Sequence, residues 1–249
     1  MFTVPERSRL RAALIDAAHA DEDVVGAALV GSAATGHEDP WSDVDLVLQI
    51  RADADPADVA ERWTADLYEI HGAAHHLDVI AGGVLYRVFL LSSSLQIDIS
   101  FWPEHEFRAT EQGFTLLFGT PQPSTEPADP SVSHATGMAW LYALHSRSAI
   151  ARGRTWQAVM MLDHLRDQIL VLACIRHGLN PHHGREADQL PPVVLDALAA
   201  ARATGVERAE LTRSHRELLQ LLDGEIEQHD RALSAQLRTP LRTLARIDG

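Results

Sequence analysis

Short apolar runs, several of them alternating with polar residues, fill the first half of this chain, and apolar residues at helical spacing fill the second. Alternation with a period of two marks a strand with one face in a core, whereas recurrence every three to four residues marks a helix. The spacing predicts a helix over residues 5–20 and then a buried strand over 24–30. In the next strand Val44, Leu46, Leu48 and Ile50 alternate with Asp43, Asp45, Val47 and Gln49. A second helix is predicted over 57–70, because Asp53-Ala54-Asp55-Pro56 supplies an acidic start with proline in the first turn. Strands over 76–81, 84–91 and 95–102 follow, turned by Gly82-Gly83 and by Ser92-Ser93-Ser94, and Phe114 to Phe118 adds a short one. These elements make a mixed sheet flanked by helices.

The pattern then breaks. Residues 121–130 contain four prolines and no apolar residue large enough to pack, which reads as an extended connector. Beyond it the spacing is helical: one helix over 134–152 closed by Gly153, and one beginning at Thr155 as N-cap and stopped by Gly178. A helix over 193–203 and amphipathic stretches from 207 onward complete a bundle. The expected class is α+β, with a mixed-sheet domain over 1–120, a linker over 121–130 and an all-α domain over 131–249. Trp140, Leu141, Leu144, Trp156, Val159 and Met160 fall at core spacing in that second domain and are expected to pack there.

The chemistry is concentrated in the first half. Gly31-Ser32-Ala33-Ala34-Thr35-Gly36 sits where a strand ends and a helical turn begins, so its backbone N–H groups can cradle an anion. A dozen residues later Asp43 and Asp45 point to the same side of a strand. Two such carboxylates repel each other unless a cation lies between them, and hard oxygen ligands of this kind suit Mg²⁺ completed by water and phosphate. Leu95, Ile97, Ile99 and Phe101 form one face of a later strand and Gln96, Asp98 and Ser100 the other. That run is apolar enough to be central in a sheet, where a carboxylate needs a cation or hydrogen-bond donors. Asp78 is the weaker rival for the same role.

In these motifs the chain resembles the nucleotidyltransferase superfamily built on the polymerase-beta-like catalytic domain. The family's Gly-Ser turn, Asp-x-Asp strand and later acidic strand map onto Gly31, Ser32, Asp43, Asp45 and Asp98, within about the first half of the chain. The layout is most similar to small antibiotic nucleotidyltransferases acting on aminoglycosides or lincosamides. The resemblance implies Mg²⁺-dependent transfer of a nucleoside monophosphate, AMP from ATP or the equivalent from another NTP, to a hydroxyl of a small molecule, with release of pyrophosphate. It also implies that Gly31 and Ser32 hold the β,γ-phosphates and that Asp43, Asp45 and Asp98 are catalytic metal ligands. Asp98 either accepts the hydroxyl's proton or helps hold a second metal. The alternatives are a nucleotidyltransferase-like antitoxin and a nucleotide-sensing regulatory protein.

Composition narrows the partners. A formal net charge of −14 disfavours a nucleic-acid partner, which needs a basic stripe, and suits a cationic small molecule such as an aminoglycoside-like antibiotic. All 21 basic side chains are arginine, so any side chain neutralising a triphosphate must be Arg. Arg166 and Arg185 are the candidates, with Asp163, Asp167 and Glu186 as candidate partners for an acceptor amine. The longest apolar run, 169–175, is too short to span a bilayer, and no signal peptide is read at the N-terminus. A single cysteine, Cys174, excludes an internal disulfide. The cytoplasm is the expected location. His75-His76 and His182-His183 lack a third ligand at metal spacing and are expected to be surface or hydrogen-bonded.

Overall fold

A computed structural model describes residues 2–109, 113–124 and 131–247. The chain separates into two compact units, Met1–Ala128 and Asp129–Gly249. Residues 125–130 of the expected linker lie outside the described residues. Of its first part, Gln122 N–H donates to the carbonyl of Phe107 at 2.7 Å, which ties that stretch to the first unit.

In the first unit, helix α1 (Val4–Ala20) opens with a capping box in which Thr3 and Glu6 satisfy each other's backbone N–H groups. Strand β1 (Val24–Leu29), the short helix α2 (Gly31–Thr35), β2 (Val44–Ile50) and α3 (Pro56–Glu69) follow. Asp55 caps α3, as its acidic, proline-led start requires. Strands β3 (Ala73–Ala81), β4 (Val84–Leu91), β5 (Gln96–Pro103) and β6 (Thr115–Phe118) complete a sheet of order β3-β4-β5-β2-β1-β6. Among the described strands only β2 and β5 pair in parallel, so the mixed sheet and the central place of the Asp98 strand are both as expected.

The two faces of this sheet differ. Leu46, Leu48, Ile50, Ile97, Ile99 and Phe101 point to one side, where Leu14 of α1 and Trp63 and Leu67 of α3 close the core. On the other side Ala28, Val47, Val84 and Trp102 are covered by Phe107, with Phe114 packed beside them. The alternation of β2 therefore stops at Asp45: Val47 and Gln49 are buried as well. A central strand covered on both faces loses its polar side. Gln49 is satisfied there by donating to the carbonyls of Glu104 and Thr120.

The second unit is helical: α4 (Val132–Ala151), α5 (Thr155–Arg176), α6 (Pro192–Ala201), α7 (Arg208–His229) and α8 (Arg231–Leu244), with two short 3₁₀ turns between α5 and α6. The overall class is thus α+β followed by an all-α unit, as expected. Details differ. Thr155 is the first helical residue and Arg154 the cap, with no side-chain bond. Trp140, Leu144, Trp156 and Met160 are not packed in the bundle core but exposed, Trp156 by 73%. Small residues, Ala135, Ala139, Ala143 and Ala158, take the α4–α5 seam instead, which draws the helices together and turns the large side chains outward. His215 joins three helices: Ser146 of α4 lies 2.8 Å from its Nδ1, and its Nε2 lies 3.0 Å from the carbonyl of Leu244 in α8. A carbonyl only accepts, so the proton is on Nε2 and Ser146 donates to Nδ1. Among the described residues no helix is long and apolar enough to cross a membrane.

Candidate active site

Strand β1 delivers the chain to Gly31, whose φ of +64° is reached readily only by glycine. A second constraint acts at the same residue: a Cβ there would overlap Asp45 Oδ2. The turn is fastened to β2 by Val30 N–H donating to the carbonyl of Asp45, and is closed by Thr35 Oγ1 donating back to the carbonyls of Gly31 and Ser32. Ser32 Oγ is shielded from solvent and has no hydrogen-bond partner. A buried hydroxyl left unpaired is costly, and it is the kind of group that a phosphate oxygen satisfies.

Between α2 and β2 the segment from Gly36 to Ser42 sets the position of Asp43. It folds on itself, with Asp39 N–H donating to Ser42 Oγ and Asp39 Oδ1 accepting from Trp41 N–H. The latter bond holds the Asp39 carboxyl below its usual range. It is also clamped from outside by Arg7 of α1, whose side chain is only 2% exposed. Arg7 Nη1 donates to the carbonyls of Asp39 at 2.6 Å and Ser42 at 2.8 Å, and its Nη2 lies 3.4 Å from Glu38. Arg11 adds a second ion pair to Glu38. An arginine thus holds the loop that presents the first carboxylate.

Asp43 directly precedes β2 and Asp45 is its second residue, while Asp98 lies opposite Asp45 in the parallel pair with β5. One carboxylate oxygen from each of the three lies within 4.8 Å of the others. Gln96 bridges two of them, its Nε2 donating to Asp98 Oδ1 at 3.1 Å and reaching Asp43 Oδ2 at 3.4 Å. Burial pushes the Asp98 carboxyl above the usual carboxylate range, the charge of Asp43 pushes it the same way, and the Gln96 bond opposes them. Three hard oxygen donors gathered at mutually repelling distance fit a divalent cation of the Mg²⁺ type.

The structure thus brings together Gly31, Ser32, Asp43, Asp45 and Asp98. Arg166 and Arg185 belong to the second unit. Arg166 donates to Asp163 at 2.7 Å and Asp167 at 2.8 Å, and with Asp163 it lines a cavity of about 240 Å³ between α5, the segment 202–206 and α7. Arg185 is exposed beyond a 3₁₀ turn that carries the stacked rings of His182 and His183. Asp78 is held by the buried Arg87 at 2.6 and 2.8 Å, on the α3 side of the sheet. His76 meets Tyr68 of α3 through a 3.0 Å hydrogen bond. The positioning role of Arg7 is absent from the sequence reading. Its one trace there is an arginine falling on the stripe Arg7, Leu14, Ala18 that α1 buries.

No protein-family model matches this chain, and no curated protein matches it in sequence. Among solved structures it is similar to an aminoglycoside 6-adenyltransferase from Bacillus subtilis, at a TM-score of 0.40 and 11% identity over 96% of this chain and 98% of that one. A structure of the GLD-2/RNP-8 complex is similar at a TM-score of 0.30 and 11% identity, over 88% of this chain and 74% of that one. Chemistry at the site is read from its own side chains.

Proposed function

We propose that this protein is a nucleotidyltransferase that moves a nucleoside monophosphate, AMP from ATP in the leading form, onto a hydroxyl of a small molecule and releases pyrophosphate. The observation that carries this reading is the contact of the Gly31 turn with Asp45, which sets an unpaired Ser32 hydroxyl beside three clustered carboxylates. Phosphate recognition and cation recognition at one place suit a nucleoside triphosphate.

In the proposed reaction the acceptor oxygen attacks the α-phosphorus, the bond from that phosphorus to the β-bridging oxygen breaks, and pyrophosphate leaves with the electron pair. Asp98, whose carboxyl adjoins those of Asp43 and Asp45, receives the hydroxyl's proton or helps hold a second metal. Backbone N–H groups at Gly31 and Ser32, with the Ser32 hydroxyl, hold the β,γ-phosphates. Mg²⁺ held by Asp43, Asp45 and Asp98 would neutralise triphosphate charge when bound. Arg166 and Arg185 enter the proposal as candidate phosphate contacts. The net charge of −14 supports an acceptor bearing amines, of aminoglycoside type, and ATP as donor supports a cytoplasmic setting.

The test is incubation of the purified chain with Mg²⁺, each NTP in turn and a panel of aminoglycosides, lincosamides and cell extract. An acceptor that gains one nucleotide mass with stoichiometric pyrophosphate supports the reading. ATP binding without turnover on any acceptor would replace it with nucleotide sensing.

A further inference from the structure

The sheet face that bears the carboxylates does not end with them. In the registered pairs, Asp45 lies beside Asp98, Asp98 beside Val88, and Val88 beside Leu77. One step along, Gln96 lies beside Leu90 and Leu90 beside His75. Residues opposite one another in a sheet project to the same face, so these two rows continue the acidic site outward across β4 and β3. The opposite face of the same strands is the one that packs on α3, through Phe89 and Arg87.

At the far end of β4 and β5 this face is covered by Phe107 and Phe114, but at the acidic end it is open. Leu77 is 62% exposed and Leu90 52%. A cavity of about 210 Å³ lies over them, lined by Leu77, Val88, Leu90, His75 and Gln96 together with His76 and Phe89. Among the described residues its walls hold no carboxylate and no arginine. Leu77 lies on the outer strand β3, where exposed apolar side chains invite unwanted strand pairing and natural sheets usually place charge. Here the apolar surface leads through shared register rows to Asp98 and Gln96.

We propose that this open apolar surface seats the body of the acceptor, so that the acceptor is an amphipathic alcohol whose hydroxyl adjoins an apolar ring or chain. The inference rests on the nucleotidyl-transfer reading above and specifies its acceptor side, where an apolar body replaces the aminoglycoside type as the acceptor class. The hydroxyl lies towards Asp98, and the apolar portion runs over Val88 and Leu90 to Leu77. Its oxygen forms the new bond to the α-phosphorus, pyrophosphate departs, and the proton stays with the protein. Amines on such an acceptor find no partner within this cavity and contribute nothing there.

Methyl-labelled full-length protein, titrated with 1-alkanols from butanol to octanol and separately with streptomycin, tests the proposal. The methyl resonances of Leu77, Val88 and Leu90 should shift with the alkanols, with affinity rising about threefold to fourfold per methylene. Leu77→Asp and Leu90→Asp, at positions exposed enough to accept a charge, should each weaken octanol binding at least about tenfold, and Leu77→Ile should restore it. Affinity flat along the series, or streptomycin shifting the same methyls as strongly as octanol, overturns the proposal. So does a dimer in sedimentation that Leu77→Asp dissolves, which would give the surface to a second copy. Mg²⁺-ATP titrated into the same samples separates the two readings. Nucleotide shifts at the methyls of Ala33 and Ala34, in the same turn as Gly31 and Ser32, without alkanol shifts remove the apolar acceptor and leave transfer standing, whereas alkanol shifts without nucleotide shifts remove transfer and the acceptor role with it.

Discussion

Asp45 stands at the centre of the candidate site, touching the Gly31 turn on one side and facing Asp98 on the other. Asp45→Asn should lower turnover by about a thousandfold or more, a loss on the scale of removing one charged group from a site that works by electrostatic stabilisation. The fold should be unharmed or slightly more stable without metal, because the substitution relieves repulsion among three carboxylates. Pyrophosphate release alongside urea denaturation checks both halves, and retention of most turnover at saturating Mg²⁺ would remove Asp45 from the chemistry. Ser32→Leu tests the turn: it should weaken ATP affinity by blocking backbone approach, with little change in acceptor affinity, as read by calorimetry. The gathering of Gly31, Asp43, Asp45 and Asp98 was legible in the sequence because each interrupts a pattern, a glycine at a strand end or an aspartate in an apolar run, and Ser32 follows that glycine. Gln96 was placed on the right face, but its bond across to Asp98 and Asp43 depends on a rotamer that no spacing encodes.

At the scale of elements, α1 and the segment 36–42 act as one part through Arg7. Arg7→Met keeps the volume and removes the donors, leaving the carbonyls of Asp39 and Ser42 unmet. It should cost about 1–3 kcal/mol of stability. Because Arg7 touches no reacting atom and acts by holding the loop before Asp43, kcat should fall more than the KM for ATP rises, and Arg7→Lys should recover part of the loss. Equal kcat in Arg7→Met at a temperature where the protein stays folded would make the residue purely structural. Strand and helix boundaries were legible where turn chemistry is local, as at Asp55-Pro56 and Gly82-Gly83. The polar face read along β2 beyond Asp45 was not, since Val47 is buried with Trp102 and Phe107 and Gln49 is held by Glu104 and Thr120, all more than fifty residues away in sequence. In the same way, the packing role expected of Trp140 and Trp156 failed because alanines took the helix seam, a choice that hydrophobic spacing alone does not distinguish.

Over the whole molecule each unit carries its own core, so the second can report on its own stability. Burial depresses the pKa of His215 from its ordinary value of 6.5. Above 6.5 the ring is neutral folded and unfolded, and its contribution is fully present. As pH falls through 6.5 the unfolded chain takes up a proton that the folded one refuses, so stability declines by up to about 1.4 kcal/mol per pH unit until the folded pKa is reached. Urea denaturation from pH 7.5 to 5 should show this slope, and His215→Gln should flatten it; an unchanged slope would place the acid sensitivity elsewhere.

The overlap that any side chain at position 31 would make with Asp45 also ties the histories of the two positions together. Once Asp45 is lost, the nearest overlap that excludes a side chain at 31 goes with it, and once Gly31 is lost, an aspartate at 45 must give way. Loss of turnover in Gly31→Ala and in Asp45→Ala should therefore be strongly non-additive, the double variant being about as inactive as either single one. Sequences descended from this chain are then expected to keep both residues or neither, so that turn and strand are inherited as a single character.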